Sequence, residues 1–397
     1  MHYKFLPNPL PFSRSVLFVL ILLGCRESFV PDAEFRQTNF LVVEGFISVG
    51  PNAVTTIKLS RTIPLSDPSA SPNIESGAVL AIEDDQENSY TLSEISPGVY
   101  RSDTISLPTD RNYRISIFAT DNSHYTSDFV TPIITPAIDS VSWKPYMEGN
   151  VFGGIEIYAF THDFSNQTQY YQWTYDEAWE RRMQYASTQK YQNGILVSRD
   201  NEEIRKMYTC YERASEPDLI TESAVNLKNH VIQKKLLRIP LKDIRIQRQY
   251  SITVTQVAPS VEDYTYLQIM RKNTSSLGGF FDPQPSQLNG NIQKAGSGEP
   301  VIGFMEAYQS STLVLPIRAS DIPWWQYQYN CNIIQVALHP DSLRKYFGDG
   351  ENLPLLFDTT PPTPLFITAT DKTCADCRTL GGNNIRPDFW DALFGDD

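Results

Sequence analysis

The sequence predicts a mainly β protein, and three observations support this fold class. Aromatic residues make up 12% of the 397 residues, and the chain contains 27 prolines. Short β-branched and aromatic segments recur between turns, whereas helix-forming stretches rich in Ala, Leu, Glu and Lys are few. A hydrophobic content of 41% over this length is enough for the cores of two or three domains.

Residues 39–145 carry about seven short strand patterns and are predicted to form an immunoglobulin- or prealbumin-like β-sandwich. Gly45 lies inside the first pattern and indicates a bulge. Pro132, Pro136 and Pro145 mark the end of this domain. The strand patterns are 40–47, 54–59, 78–83, 89–92, 99–100, 113–119 and 125–130.

Residues 146–347 are predicted to form a larger β-rich domain with one prominent helix near 260–276. Ser260 can cap that helix, acidic residues in its first turn favour the positive end, and a Gly-Gly pair at 278–279 terminates it. Asn193-Gly194 indicates a hairpin turn. The strand patterns are 155–160, 170–175, 236–240, 249–257, 301–304 and 313–317, followed by a short helical pattern at 341–347.

Three aromatic residues of the second domain alternate along one strand pattern. Tyr171, Trp173 and Tyr175 therefore share one face of the predicted strand. Such a stripe can bind a ligand, but large aromatic side chains more often pack in a core, and we favour that interpretation.

The first 25 residues have the features of an export signal. A short basic start precedes an apolar segment from Ser15 to Leu23, which is too short to span a bilayer. The segment ends in Leu22-Leu23-Gly24-Cys25, which resembles a bacterial lipobox. We expect residues 1–24 to be a signal peptide, Cys25 to be lipidated, and residues 25–38 to be a tether. The alternative is a cysteine in an ordinary signal or an uncleaved anchor. Arg26 favours the outer membrane and leaves open the face on which the protein lies.

The chain is acidic, and this limits the kinds of charged partner that it can attract. Its formal charge is −13, and removal of residues 1–24 takes away Lys4 and Arg14 but no acidic residue, so the charge becomes −15. The few basic pairs are scattered along the chain. We therefore expect no binding to nucleic acid and little attraction to anionic lipid.

Residues 348–397 are predicted to be a Pro- and Gly-rich tail that is held by disulfides. An even number of cysteines in an exported chain indicates two disulfides, with three connectivities open. We expect Cys331 to pair with a cysteine of the tail. A spacing of two residues between the tail cysteines also fits a redox motif or half of a zinc site, although no further ligand pattern accompanies it. The cysteines after Cys25 are Cys210, Cys331, Cys374 and Cys377.

The sequence contains none of the common catalytic signatures. Gly-x-Ser-x-Gly, His-Glu-x-x-His, P-loop and dinucleotide motifs are all absent, so we expect no enzyme, no cofactor and no metal. One segment combines aromatic rings with a rigid proline backbone and is a candidate interaction loop. Its two aromatic residues can alternatively be core residues at the helix end. The segment is Phe280, Phe281, Asp282, Pro283, Gln284 and Pro285.

Several short stretches, spread over nearly all of the mature chain, match a recognisable pattern. They are Leu41–Gly45, Tyr171–Tyr175 with Trp179-Glu180, Lys272–Thr274, Leu277–Ser286, Gly290–Ile292, Glu299–Gly303, Cys374–Arg378 and Pro387–Trp390. In these residues the chain resembles a family of Bacteroidota lipoproteins catalogued only as a domain of unknown function. Such proteins accompany TonB-dependent outer-membrane receptors. The resemblance therefore implies an accessory role in uptake and no established catalytic residues.

Three functional hypotheses follow from the sequence. The leading one is a lipid-anchored, non-enzymatic accessory of an outer-membrane TonB-dependent transporter, which binds the receptor or its cargo. The alternative is a structural or adhesion-like surface lipoprotein, and a glycan-active enzyme comes third. The sequence identifies no small-molecule or glycan cargo.

Overall fold

The computed structural model describes residues 39–63, 73–215, 219–227, 230–275, 290–325, 327–357 and 365–395. Within them the chain is mainly β, which confirms the predicted fold class. Four α-helices occur in these residues: α1 Asn201–Tyr208, α2 Val261–Ser275, α3 Pro340–Phe347 and α4 Trp390–Phe394.

The strands of the described residues are short in the N-terminal part and longer in the middle of the chain. The first eleven are β1 Leu41–Ser48, β2 Gly50–Ala53, β3 Thr56–Arg61, β4 Asn73–Ile74, β5 Val79–Asp84, β6 Ser89–Ser96, β7 Val99–Ser102, β8 Ile105–Leu107, β9 Tyr113–Phe118, β10 His124–Ser127 and β11 Ile133–Ile134. The next nine are β12 Ile138–Glu148, β13 Val151–His162, β14 Tyr170–Arg182, β15 Gln189–Gln192, β16 Ile195–Ser198, β17 Thr209–Ser215, β18 Ile220–Ser223, β19 Val231–Pro240 and β20 Gln249–Val257. The last six are β21 Ile292–Lys294, β22 Ala307–Gln309, β23 Ser311–Arg318, β24 Ile334–Ala337, β25 Asn352–Phe357 and β26 Phe366–Asp371.

The N-terminal part of the chain folds into one large sheet around its own core. The strand order is β11-β22-β1-β3-β7-β6-β5-β9-β10-β21, with β4 beside β3. Buried side chains alternate with more exposed ones, as in β5, where Leu80 and Ile82 are fully buried. Strands β1 and β9 contact each other although they are not neighbours in the sheet. The sheet is therefore folded over, in the manner of the predicted sandwich.

Gly45 does not form the bulge that the sequence predicted. Strand β1 pairs with β3 in continuous register on both sides of the Gly45–Ile57 pair. Glycine is required there for another reason, because its φ is +129° and a Cβ would lie 2.5 Å from the Thr56 carbonyl oxygen.

Two strands of the first sheet come from residues that the sequence assigned to the second domain. Strand β22 pairs in parallel with β1, where Ile47 N–H donates to the Glu306 carbonyl oxygen over 2.8 Å, and β21 pairs with β10. Strand β12 also starts at Ile138 and continues past the predicted boundary at residue 145. Strands that are adjacent in sequence pair most often, so a local pattern does not predict this long-range pairing.

The second part of the chain is a two-sheet sandwich. One sheet has the order β12-β13-β19, and the other has the order β17-β14-β20-β23 with β18 beside β14. The aromatic stripe belongs to the sandwich core, since Tyr171 and Trp173 are fully buried and Tyr175 is 3% exposed. The Trp173 indole Nε1 donates to Gln256 Oε1 over 2.7 Å, so its polar edge is satisfied inside the core.

Helix α2 lies where the sequence predicted a helix. Ser260 Oγ accepts a hydrogen bond from the Asp263 N–H over 3.0 Å and so caps the first turn. The Tyr264 ring stacks on Tyr170 of β14 with centroids 4.1 Å apart, which fixes the helix against the sandwich. Helix α3 and the β15–β16 hairpin also confirm their sequence patterns.

The C-terminal tail has more regular structure than the sequence predicted. Strand β26 pairs with both β24 and β25, so this sheet has the order β24-β26-β25. The prediction of a loop-like tail is therefore wrong at β25, β26 and α4. Pro354 lies in β25, which is an edge strand of its sheet, where a missing N–H is tolerated. The tail sheet and α3 share a small core: Val336, Leu343, Phe347, Ile367 and Ala369.

Candidate functional site

Two of the sites predicted from sequence lie outside the described residues. These are the lipidation site Cys25 and the candidate interaction loop at 280–285, so both stay predictions. The four other cysteines form two disulfides, Cys210–Cys377 and Cys331–Cys374. This confirms the expected bond between Cys331 and the tail.

The connectivity of the disulfides decides between the alternatives for the closely spaced tail cysteines. Cys374 and Cys377 are each bonded to a cysteine elsewhere in the chain, not to each other. They therefore form neither a redox pair nor half of a zinc site. Among the described residues, no group of three or more His, Cys, Asp and Glu side chains is arranged to hold a metal ion.

A cavity of about 320 Å³ lies where the tail meets the edge of β17, and we call it the tail cleft. Three of its lining residues are consecutive in β17. Since consecutive residues of a strand point to opposite faces, the cavity runs along the strand edge and its main chain. The tail cleft is lined by Trp179, Tyr211, Glu212, Arg213, Gly381, Asn383 and Ile385.

The Cys210–Cys377 disulfide and two glycines bring the walls of the tail cleft together. Cys210 directly precedes the cleft residues of β17, and Cys377 begins a short 3-10 helix that ends at Leu380. Gly381 follows it with a φ of +85°, a left-handed conformation that glycine adopts without strain. A Cβ on Gly382 would lie 2.6 Å from the Cys210 Cβ, so only glycine fits beside the disulfide.

The tail pairs with β17 at a single residue. Tyr211 N–H donates to the Asn383 carbonyl oxygen over 2.6 Å, and Asn383 N–H donates back to Tyr211 over 3.2 Å. On the other side of the strand, Met183 N–H donates to the Tyr208 carbonyl oxygen over 2.9 Å. Main-chain groups alternate along a strand, so Tyr211, Arg213 and Ser215 all present theirs to the outer edge.

Helix α4 holds the tail on the sheet beside the cleft. Trp390 is fully buried, its ring meets the Tyr211 ring edge-on at 5.4 Å, and its Nε1 donates to Gln249 Oε1 over 2.8 Å. The Arg213 guanidinium lies 5.8 Å from the centre of the Phe389 ring. These contacts place a cation and aromatic rings next to the open strand edge.

The charges of the tail cleft are unevenly balanced. The Glu212 carboxylate accepts a hydrogen bond from Arg181 over 3.0 Å and is neutralised by it. Arg213 is exposed and has no carboxylate at ion-pair distance among the described residues. Trp179 is only 8% exposed, and its indole Nε1 has no hydrogen-bond partner among the residues that the structure describes. The cleft therefore presents an unpaired cation beside a strand edge, which is the chemistry of a binding site.

A second exposed feature lies on the sheet β12-β13-β19, and we call it the outer sheet face. Cations flank a row of rings there: Arg238 lies 4.4 Å from the centre of the Tyr146 ring, and Lys144 Nζ lies 5.4 Å from the Tyr158 ring centre. Hydrogen bonds from Tyr158, Arg238 and Lys235 hold the pKa of Glu156 down at about 2. The outer sheet face consists of Lys144, Tyr146, Glu156, Tyr158, Phe160, Lys235 and Arg238.

Comparison with known proteins assigns the chain to a family. The model of a domain of unknown function, DUF4249, matches residues 26–313. The chain belongs to this family. The matched residues include the outer sheet face and the β17 wall of the tail cleft, whereas the tail wall of the cleft follows them.

Other comparisons add little about this DUF4249 protein. No curated protein matches it. Among solved structures, a trypsin-activated α-2-macroglobulin from Escherichia coli is similar at 9% sequence identity and a TM-score of 0.19. The match covers 57% of this chain and 15% of the macroglobulin, and a likeness this slight says nothing about fold or function. No helix of the described residues is long and apolar enough to cross a membrane.

A buried acidic cluster lies where helix α2 meets the first sheet. Ser260 Oγ donates to Glu306 Oε1 over 2.7 Å, and the Tyr308 hydroxyl donates to Asp263 Oδ2 over 2.6 Å. Asp263 and Glu306 are 6% and 7% exposed. Burial raises the pKa of Asp263 to about 6 and that of Glu306 to about 7. The cluster therefore joins the two parts of the molecule through groups that are charged only at higher pH.

Sequence reasoning missed both the tail cleft and the acidic cluster. Tyr211, Arg213 and Asn383 carry no motif, and it is the disulfide together with α4 that brings the last of them to the other two. The signal that could have found the cleft was the pair of glycines four and five residues after Cys377, since such a pair indicates a close approach of two chain segments. No local signal links Asp263 to Glu306.

Proposed function

We propose that this protein is a lipid-anchored, non-enzymatic accessory of an outer-membrane TonB-dependent transporter of Bacteroidota. It docks on the receptor or its cargo through the second part of the chain. The observation that carries the proposal is the outer sheet face, where exposed cations and aromatic rings lie side by side on an otherwise acidic protein. Tyr and Arg are enriched among the residues that dominate protein–protein binding energies.

The lipid anchor supports this role because it confines the protein to the membrane of its partner. Confinement raises the effective concentration of the two proteins, so modest contacts suffice for a stable complex. The family match begins at residue 26, immediately after the cysteine of the lipobox pattern, and this supports a mature chain that starts at Cys25.

The anchor is tested by Cys25→Ser. We expect the variant to lose its acyl mass and to move from the membrane fraction to the soluble fraction, because two or more acyl chains are needed for stable anchoring. Fractionation and intact-mass measurement of both proteins check this. A wild-type protein without acyl mass, together with a variant that stays in the membrane, would contradict the lipobox interpretation.

The docking face is tested by capture of native outer-membrane proteins on tagged bait. We expect wild-type bait to recover a TonB-dependent receptor and the double variant Lys235→Ala/Arg238→Ala to recover several-fold less, since loss of interface cations and their ring contacts weakens binding. Arg344→Ala/Lys345→Ala is the matched control, because it also removes two exposed cations, here from α3. One of them, Lys345, lies beside a tyrosine ring as Arg238 does, with its Nζ 5.3 Å from the ring centre. Thermal unfolding confirms that each bait is folded.

The outcomes of the capture experiment separate the hypotheses. Recovery of no receptor on folded wild-type bait would refute the transporter role and favour a structural or adhesion-like lipoprotein. Equal recovery on both double variants would keep the complex but exclude the outer sheet face. A third bait, Phe281→Ala/Pro283→Ala, tests the candidate interaction loop, and a loss confined to it would move the contact to residues 280–285.

A further inference from the structure

We propose that the tail cleft binds an extended peptide segment with an acidic side chain, which adds to the edge of β17 as a further strand. The inference goes beyond the proposed transporter role and does not depend on it. The cleft belongs to the sheet β17-β14-β20-β23, whereas the outer sheet face belongs to the opposite sheet of the sandwich.

The first argument is an open strand edge. Tyr211 uses both of its outward main-chain groups on Asn383. The next outward groups belong to Arg213 and Ser215, and neither has a backbone partner on that edge among the described residues. An edge of unpaired N–H and C=O groups is a template for another strand.

The second argument is that the protein's own tail begins this pairing and then leaves the edge. The pair between Tyr211 and Asn383 is isolated, because the left-handed turn at Gly381 and the bond from Cys377 to Cys210 direct the chain away. A strand partner of the right geometry thus fits beside β17, while the described residues leave the positions next to Arg213 open.

The third argument is the cavity beside the edge. Its volume of about 320 Å³ lies at the lower end of the range of small-ligand sites, roughly 300–1,000 Å³. Trp179 and Ile385 supply apolar walls, and the Trp179 indole Nε1 is buried without a partner within the described residues. Such a cavity accommodates side chains of a short segment.

The fourth argument is charge. Arg213 is the exposed cation of the cleft, whereas Arg181 is occupied by Glu212. A guanidinium binds a carboxylate through paired, directional hydrogen bonds, so an Asp or Glu side chain is the natural partner. The net charge of −13 opposes an acidic peptide only at long range, and this repulsion is largely screened beyond about 8 Å at physiological ionic strength.

The test uses the full disulfide-bonded chain and a displayed library of random octapeptides. We expect the wild-type chain to enrich segments in which β-branched residues alternate with Asp or Glu. The best segment is then synthesised with blocked ends, in three forms: unchanged, with its acid replaced by the amide, and with alternate backbone nitrogens methylated. Fluorescence anisotropy gives the dissociation constant of each form.

Two arginine variants give the inference its control. Arg213→Gln is expected to weaken binding of the acidic peptide about fivefold and to leave binding of the amide form unchanged. This is the coupling expected of one partly exposed ion pair. Arg205→Gln removes an exposed cation of the neighbouring helix α1 and is expected to change the dissociation constant of neither peptide form. Methylation is expected to abolish binding, because it removes the strand hydrogen bonds.

Three results would overturn the inference. They are the absence of any enriched segment, enriched segments that bind Arg213→Gln as tightly as wild type, and binding that survives backbone methylation. None of these results bears on receptor capture by the outer sheet face, so the two proposals fail separately.

Discussion

Replacement of both Cys210 and Cys377 by alanine is expected to release the tail from β17. We expect it to lower the free energy of unfolding more than removal of the other disulfide, Cys331–Cys374, does. The bond closes a loop with a sequence separation of 167, and Cys331–Cys374 closes one of 43. Chain entropy alone predicts losses of about 5 and about 4 kcal/mol for loops of these lengths. Cys210 and Cys377 are also fully buried, so their removal leaves space in a packed region.

The structural consequence of this deletion is specific to the tail cleft. The Cys210–Cys377 bond is a covalent link between the tail and β17, and it lies beside the Tyr211–Asn383 main-chain pair and the packing of Tyr211 against the buried Trp390. We therefore expect amide hydrogen exchange to rise at Tyr211 and in α4, with little change in the first sheet. The double variant Cys331→Ala/Cys374→Ala is the matched control. Equal unfolding free energies and equal exchange in the two variants would show that the Cys210–Cys377 bond does not hold the cleft.

The stability of the protein is expected to fall as the pH rises from about 4 to about 7, because of the buried acidic cluster. The pKa values of Asp263 and Glu306 are raised to about 6 and about 7, so the folded state holds protons that the unfolded state has already released. The stabilisation is complete below the unfolded pKa values near 4 and is lost as the pH passes the folded ones. Each pKa shift, taken alone, corresponds to a loss of about 3 kcal/mol in the free energy of unfolding over this pH range.

Other carboxylates act in the opposite direction but at lower pH. The pKa of Asp84 is lowered to about 2, chiefly by hydrogen bonds from Asn88 that outweigh its burial, and its contribution is lost only as the pH falls below 4. A fall in stability between pH 4.5 and 7.5 is therefore expected from the acidic cluster, since the lowered carboxylates act in the opposite direction and mostly at lower pH.

The measurement is the unfolding free energy of three variants over that pH range. Asp263→Asn and Glu306→Gln are each expected to flatten the pH dependence, because a neutral amide has no proton to lose. Glu262→Gln removes an exposed acid from the same turn of α2 that contributes only the smallest part of the raised pKa of Glu306, so it is expected to flatten the slope far less than Asp263→Asn or Glu306→Gln. A wild-type stability that is constant or rises from pH 4.5 to 7.5 would contradict the expected role of the cluster.

Much of the local structure of this protein could be predicted from its sequence. The strand at 249–257 appears with its expected ends, and the helix near 260–276 begins within a residue of its expected start, because alternation of side chains and a capping serine act over a few residues. The burial of Tyr171, Trp173 and Tyr175 follows from the same reasoning, since three large rings on one strand face have to be removed from water.

The regular structure of the tail could not be predicted, for a local reason. Strands β25 and β26 are short, and the first contains a proline that is acceptable only because β25 is an edge strand. Whether a strand lies at an edge depends on its neighbours, and a single segment does not specify them.

The sequence by itself determined the β-rich class of the chain, the start of helix α2 and the presence of two disulfides, because composition and short-range patterns control these features. Only the tertiary structure decided which distant segments meet: β22 with β1, Asp263 with Glu306, and Asn383 with Tyr211. Each of these contacts joins residues that are far apart in the chain, and the free energy that selects them comes from packing and from a disulfide. The tail cleft is therefore a property of the fold, and no segment of the sequence contains it alone.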